Sequence, residues 1–391
     1  MTTPSFYHTA IIGAGASGLF CAGSFDAPKI ILEANTRPAQ KVNVSGGGKC
    51  NFTNRFVSAA DYDSQRPHFC KSALAAYTPL DFLRMLEEQH IVWNERDNGQ
   101  LFANRSSDIV QLLLRRAKEH RTTLALGVRV LDIEPMTGGF LLRTSKGPIH
   151  AQYVVLASGG LSFPALGGNG FGIKIARKLG LSVIPQRPVL CGLTFPKELR
   201  PLGKELAGNS VPVILRQGKK RFEGPLLFTH EGISGPAVLR LSLFWQPDSP
   251  VEIDFLPRQN AAEILIAQKN SSKTVSGAFV PALPHHVAKT LLAPWDVPLA
   301  NATREELRAA AQRVNHFLFK AVGTAGYTKA EATAGGIDTR EINPATFEVR
   351  RVPGLFVTGE LLDVTGNLGG FNLHWAWASG FAAAQALRQR F

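Results

Sequence analysis

Apolar positions in this chain change their spacing from region to region, and the changes mark out elements. A short apolar run with β-branched residues, Tyr7 to Ile12, meets Gly13-Ala14-Gly15-Ala16-Ser17-Gly18, then Leu19 to Phe25, then a second apolar run, Ile30-Ile31-Leu32, closed by Glu33. This order predicts strand, tight turn, helix and parallel strand. Residues 38–54 are dominated by turn formers and small polar groups, and they predict a long glycine-rich loop in place of an ordinary connection. Leu80, Leu83 and Leu86, and later Ile109, Leu112 and Leu113, keep a three-to-four residue period that predicts helices near 79–89 and 106–118. A strand pattern returns from Leu124 to Asp132. Phe140 to Ser145 and Ile149 to Leu156 then predict a hairpin around Lys146-Gly147, followed by a helix from about Gly170 to Leu179.

Beyond Pro185 the texture shifts. Residues 186–256 read as short β pieces punctuated by Gly and Pro, and residues 257–320 as mostly helical, with periodic apolar positions in Ala261 to Ile266, Val287 to Leu292 and Leu307 to Phe319. Ala332 to Ile337 and Leu355 to Val357 read as strands, and Phe371 to Arg390 as a terminal helix. That last segment is as glycine-laden as the first, so the expected fold is α/β with a discontinuous Rossmann-type nucleotide-binding domain. The expected boundaries are 1–185 and 343–391 for that domain, 186–256 with a return at 321–342 for an inserted β-rich domain, and 257–320 for a helical domain.

The first fifty residues carry the clearest chemistry. Gly13 permits a tight exit from the strand, Gly15 removes the Cβ that would hold the backbone away from a pyrophosphate, and Gly18 lets the helix pack closely on the sheet. Unpaired N–H groups at the helix start, from Ala16, Ser17 and Gly18, then face negative phosphate. Glu33, twenty positions after Gly13, ends the second strand where its carboxylate can accept from adenosine ribose hydroxyls. A carboxylate there repels a 2′-phosphate, which argues against NADP in this pocket. The long loop favours FAD over NAD, because an extended ligand needs the additional cover that Lys41, Ser45-Gly46-Gly47-Gly48-Lys49-Cys50, Asn51 and Asn54 can give. Val130 is counted with these cofactor-facing positions.

Composition narrows the picture further. Lys and Arg number 43 against 30 Asp and Glu, a net charge of +13 that suits anionic ligands, yet it is spread along the chain and does not form a nucleic-acid-binding block. Four separated cysteines without a CxxC pair indicate neither a dithiol centre nor a zinc ribbon, and no metal site is expected. The N-terminus lacks a basic leader, and no run reaches the ~20 apolar residues that span a bilayer. A cytoplasmic location with no membrane partner is therefore expected, and the oligomeric state is left open.

Six blocks, GAGASGL (13–19), SGGGKCNFTN (45–54), ASGGLSFPALGGNGFG (157–172), FTHEGISGPAVL (228–239), TAGGID (333–338) and VPGLFVTGELLDVTGNLGGFNLHWAWASG (352–380), resemble the BaiN/RdsA-type, or aminoacetone-oxidase-type, FAD-binding oxidoreductases of bacteria. The resemblance implies a glutathione-reductase-like FAD domain, a β-rich domain inserted into it, a helical domain inserted in turn, and non-covalent FAD. Lys49 stands where that family usually has arginine, which keeps the charge and loses the bidentate fork. His374 stands where it usually has glutamine.

Several further residues are candidates for the site. Ser158-Gly159-Gly160 follow an apolar strand and would cross near the adenosine or pyrophosphate. Gly359-Glu360 falls at another strand end, where Glu360 or Asp363 could hold ribityl hydroxyls. Gly369-Gly370, with Phe371, Asn372 and Leu373 opening the terminal helix, offer backbone donors and a positive helix end to the flavin N1–C2=O edge. Trp375 and Trp377 read as core. Gly167 to Gly172 lacks the strand before it and the acid after it that a second fingerprint needs, so NAD(P)H, as electron donor, would dock transiently at an open face. His230 and His374 are the candidate acid–base groups, and an ordinary imidazole pKa of about 6.5 suits that work.

The expected activity is FAD-dependent hydride transfer between flavin N5 and a small or medium organic substrate, in one version an NAD(P)H-driven reduction of a C=C bond. Amine oxidation with oxygen, RNA modification and a non-catalytic redox sensor are the alternatives.

Overall fold

Strand β1 (Ser5–Ile12) lies in the middle of a seven-stranded sheet. Ala10 and Ile11 are wholly buried there, as a strand covered on both faces requires. The computed structural model describes residues 5–391, in two units: residues up to 188 together with 332–391, and residues 189–331. In the first unit, β1 is followed by helix α1 (Ala16–Ala22) and strand β2 (Lys29–Glu33), which pairs parallel to β1 and to Thr122–Leu126. On its other side β1 runs parallel to Gly147–Leu156. The lower half of that strand turns antiparallel into Gly139–Thr144, and its upper end pairs parallel with Leu355–Val357. The sheet thus joins the beginning of the chain to its end.

The segment expected as one long loop is more structured than its glycines suggest. Gln40–Gly48 forms helix α2, broken where Ser45 turns extended (ψ 147°) and Gly46 and Gly47 enter the left-handed region. Strand β3 (Asn51–Asn54) then pairs antiparallel with Gln100–Ala103. The terminal helix, Phe371–Arg388, packs on α1, and Gly380 makes the approach possible because a Cβ there would lie 2.7 Å from the carbonyl oxygen of Ser17. Trp375 and Trp377 are core residues of this helix, and their ring N–H groups donate to the carbonyls of Gly359 (3.1 Å) and Phe52 (2.8 Å).

The second unit holds a seven-stranded antiparallel sheet in the order 317–319, 251–254, 210–217, 220–229, 232–234, 193–194, 323–324. Two expectations change here. Leu265, Val287 and Leu291 of the helical stretch share one apolar core with Val213, Phe228 and Phe255 of the sheet, so residues 257–320 do not stand apart from it. Ala332–Ile337 pairs with Val183–Val189 and belongs to the first unit, which places the return crossing near 332 and not at 343. The last helix of this unit also ends earlier than its periodicity implied. It stops at Asn315, and Phe317–Phe319 becomes an edge strand with alternating burial. Among the described residues no helix is long and apolar enough to cross a membrane.

Candidate functional site

The three glycines of the first turn do three different things. Gly13 sits at φ +111°, and a Cβ on it would lie 2.6 Å from the carbonyl oxygen of Ala157. Gly18 is closed in by the Gly13 carbonyl, 2.1 Å from where its Cβ would be, so helix and strand touch through backbone alone. Gly15 faces open space, with no atom within 4 Å of a built Cβ. No side chain caps α1, so the amides of Ala16, Ser17 and Gly18 at its opening are available to an anionic group.

Glu33 is fixed beside this opening. One carboxylate oxygen accepts from the Ala14 N–H and the other from the Asn35 N–H, both at 2.8 Å. Each oxygen keeps one acceptor position, enough for a pair of vicinal hydroxyls. The N–H of Val128 donates to the Glu33 carbonyl (2.9 Å), which brings the chain leading to Val130 alongside. The Val130 side chain itself is buried. Ser158, two residues beyond the strand next to β1, has a buried hydroxyl without a partner. The uncapped helix start, the open space over Gly15, the half-used carboxylate and this orphaned hydroxyl together fit the adenosine diphosphate portion of FAD.

The break in α2 presents more free backbone. Gly46, Gly47 and Gly48 are exposed at positive φ, and Gly47 and Gly48 have open space where a Cβ would go. Ser45 is partly turned inward, its hydroxyl donating to the Val42 carbonyl at 2.8 Å, while Lys49 is exposed. Cys50 differs from both. It is wholly buried, and burial pushes its thiol up to about 12, so it is a packing residue of the loop and not a ligand contact or nucleophile.

Glu360 overturns a simple ribityl role. One carboxylate oxygen accepts from the Ser162 hydroxyl (2.9 Å) and the Thr333 N–H (2.8 Å), and the other from the Lys41 ammonium (3.1 Å) and the Gly160 N–H (3.1 Å). All four acceptor positions are taken. Burial works to raise this carboxyl, but the Lys41 charge and hydrogen bond with the two backbone donors outweigh it, and the net shift is downward. Lys41 also donates to Ser162 (2.9 Å), and the Thr333 hydroxyl accepts from the amides of Leu161 and Ser162. Ser162 and Thr333 were not among the sequence candidates. Their signal was present, a hydroxyl residue close to glycines in each of two glycine-rich blocks, but only the fold shows that the two blocks meet on one carboxylate.

Asn51 and Asn54 turn inward for a related reason. The Asn51 amide oxygen accepts from the Gly370 N–H (3.1 Å), and the Asn54 amide donates to the Gly369 carbonyl (3.1 Å). These side chains hold the glycine turn that opens the terminal helix, and they are not free for a ligand. Gly370 is at φ +94°, 2.3 Å short of the Thr53 carbonyl for any Cβ. The Asn372 side chain is likewise closed on Gly366, accepting from its N–H and donating to its carbonyl at 2.8 Å. The amides of Phe371, Asn372 and Leu373 remain as the first-turn donors of an 18-residue helix without a side-chain cap.

Of the two candidate acid–base histidines, His374 belongs to this unit, and both of its ring nitrogens are engaged. His374 is wholly buried. Its Nε2–H donates to the Tyr77 carbonyl (3.2 Å), its Nδ1 accepts from the Thr53 hydroxyl (2.7 Å), and burial lowers it to about 4, so it is a neutral structural residue. His230 lies in the second unit, exposed in the two-residue turn between 220–229 and 232–234. Asp363 is buried against the Gln65 N–H (2.9 Å), and burial, reinforced by Asp63 and Asp338, raises its carboxyl despite that bond.

Comparison with known proteins agrees with this geometry. Residues 7–386 match the family model of the HI0933-like protein Rossmann domain. The chain is 39% identical to a ribosomal RNA dihydrouridine synthase of Escherichia coli (strain K12), over 97% of this chain and 98% of that protein. It is 28% identical to a 3-dehydro-bile acid delta(4,6)-reductase of Clostridium scindens, again over 97% and 98%. Among solved structures, a quinol-fumarate reductase with menaquinol molecules superposes with a TM-score of 0.52 at 16% identity, covering all of this chain and 72% of that one, a likeness of fold.

Proposed function

The chain belongs to the HI0933-like Rossmann family and is an FAD-dependent oxidoreductase, and from that premise we propose that it reduces the C5=C6 double bond of a uridine in ribosomal RNA to give dihydrouridine. The supporting relative is alike over nearly the whole of both chains. The second relative's name describes reduction of a C=C bond in a small molecule, so the two point to one reaction type on different carriers. The observation in this molecule that carries the flavin part of the reading is the open crevice over Gly15, bounded by an uncapped helix start and by a carboxylate with two free acceptor positions, while the ribosomal RNA part rests on the relative.

FAD, when bound by these residues, would supply the two-electron reducing chemistry that saturating the double bond requires, with a nicotinamide coenzyme as the source of the electrons. The chain's own contribution is binding, orientation and charge. Ala16, Ser17 and Gly18 offer amides to the pyrophosphate, and Glu33 takes the ribose hydroxyls and disfavours a 2′-phosphate. The glycines 46–48 give close backbone access, and Lys49 adds a positive charge. The positive end of the terminal helix, at Phe371 to Leu373, suits negative charge on a reduced ring.

The test is a comparison of ribosomal RNA nucleosides from a strain lacking the gene, with and without the restored gene. A nucleoside 2 Da heavier than uridine should reappear on restoration at one position. Unchanged uridine at every position, together with turnover of a small conjugated enone, would move the assignment to the small-molecule reading.

A further inference from the structure

The second unit contains an apolar cleft that its own fold does not fill. It is an open groove of about 590 Å³ between the edge strand 317–319, the turn at 245–248 and the segment 196–199. Trp245, Phe319 and Leu199 form its walls. Leu318 and Val322 stand at it 56% and 63% exposed, which is costly for apolar side chains with nothing over them. The Trp245 ring N–H finds no acceptor within the protein. Lys320 and Asp248 are the charged residues of the lining.

A second feature is tied to the same wall. The tip of the hairpin 210–229 carries Lys219, Lys220 and Arg221, all exposed. Gln217 fastens that tip to the turn beside Trp245, accepting from the Gln246 N–H (3.1 Å) and donating to the Ser249 carbonyl (3.1 Å). The Lys220 ammonium sits 3.5 Å from the centre of the Phe244 ring, and Phe244 immediately precedes Trp245. A basic tip and an aromatic cleft are therefore held side by side by one short segment. Their joint chemistry is that of single-stranded nucleic acid, since ammonium groups track phosphates and an aromatic wall takes the face of an unstacked base. A peptide of acidic residues alone would satisfy the lysines and leave the cleft unfilled.

We propose that this cleft is an RNA subsite, receiving an unstacked base against Trp245 while the backbone phosphates lie on Lys219, Lys220 and Lys320. The proposal rests on the ribosomal RNA reading above and adds a place of contact that the cofactor crevice does not provide.

The probe is a fluorescein-labelled single-stranded oligouridylate of roughly 15 nucleotides, followed by anisotropy with the flavin-loaded full chain. Leu318→Glu and Lys219→Glu change exposed positions, so melting temperature and flavin content should stay at wild-type values. Each should weaken binding at least tenfold, in keeping with loss of one stacked base or one phosphate contact with its charge reversed. Lys118→Glu, the same charge change on the helix 106–119 of the other unit, should bind as wild type. A 4-thiouridine-substituted oligonucleotide should crosslink to the peptide containing Trp245.

Equal affinity of Leu318→Glu and wild type, or crosslinks confined to other peptides, would overturn the subsite. So would a wild-type dimer that Leu318→Glu dissolves without loss of RNA binding, because the cleft would then be covered by a second copy. The two readings fail separately. Wild type that restores no dihydrouridine while the cleft variants still lose oligouridylate binding removes the ribosomal RNA assignment and keeps the subsite. Full restoration by Leu318→Glu at wild-type affinity removes the subsite alone.

Discussion

Glycines 13, 15 and 18 look equivalent in the sequence and differ in what an added methyl group would meet. At Gly18 it would meet the Gly13 carbonyl oxygen at 2.1 Å, and backbone cannot yield cheaply. Gly18→Ala should therefore destabilise the protein by roughly 1–3 kcal/mol, seen as a lower urea midpoint even without cofactor. At Gly15 the methyl would enter open space, so Gly15→Ala should leave the apoprotein melting point unchanged and lower FAD retention at least tenfold after gel filtration. A Gly15→Ala protein that keeps its flavin would show that the phosphates are not bound there.

His374 gives a pH signature of its own. Its pKa is lowered to about 4 in the folded chain, against about 6.5 when unfolded, so stability from this residue is full above pH 6.5. It is lost as the pH falls from there through about 4, because the unfolded chain takes up the proton first. Over that window the loss amounts to about 3 kcal/mol. Urea titrations at several pH values should show His374→Gln losing less stability than wild type between pH 6.5 and 4, and parallel curves would contradict the assignment.

The strand, glycine turn, helix and second strand ending at Glu33 were legible residue by residue because a close-packed βαβ turn imposes fixed spacing. The inward turn of Asn51, Asn54 and Glu360 was not, since a polar residue in a glycine-rich loop reads the same whether its partner is a ligand or another loop. Lys29 makes the same point. Nothing in the sequence marks it as buried, yet its ammonium is spent on the carbonyls of Phe25, Ala27 and His120.

At the scale of elements, the helices near 79–89 and 106–118 formed where their periodicity placed them, whereas the strand pattern expected over 124–132 is split by Gly127 into 122–126 and 130–136; other discrepancies fall where one pattern serves two structures. Phe317-Leu318-Phe319 continues a helical period and also alternates, and the choice is made by Asn315. Its side chain accepts from the Ala261 N–H (2.8 Å) and donates to Asp254 (2.8 Å) and to the carbonyls of Leu256 and Gln259. A side chain bonded to its surroundings in this way stops the helix and releases the next three residues to the sheet. Asn315→Ala should cost about 2 kcal/mol, since it strands a buried backbone donor. Flavin content should not change, and its loss would mean that the two units do not respond separately. α2 was hidden for the converse reason: its first turn is short, and Gly46 and Gly47 break it before a period can be seen.

The molecule as a whole pairs a cofactor-binding unit, built from both ends of the chain, with an inserted unit that brings its own sheet and core. That plan was readable from the change in texture after Pro185 and the return of glycine-rich segments near the C-terminus. The shared core of strands and helices in the inserted unit was not, because long-range packing leaves no local period. The +13 charge belongs to this scale too. If it serves RNA, oligouridylate affinity should fall steeply between 50 and 200 mM salt, on the order of tenfold for every two to three phosphates neutralised, whereas FAD retention should not.

The most direct measurement is a single anaerobic turnover. Enzyme carrying fully reduced FAD is mixed with a ribosomal RNA fragment from the strain lacking the gene, and flavin absorbance is followed before the RNA is digested and weighed. The account predicts that the oxidised flavin band returns while one uridine per enzyme gains 2 Da. A flavin that stays reduced beside RNA of unchanged mass would contradict it.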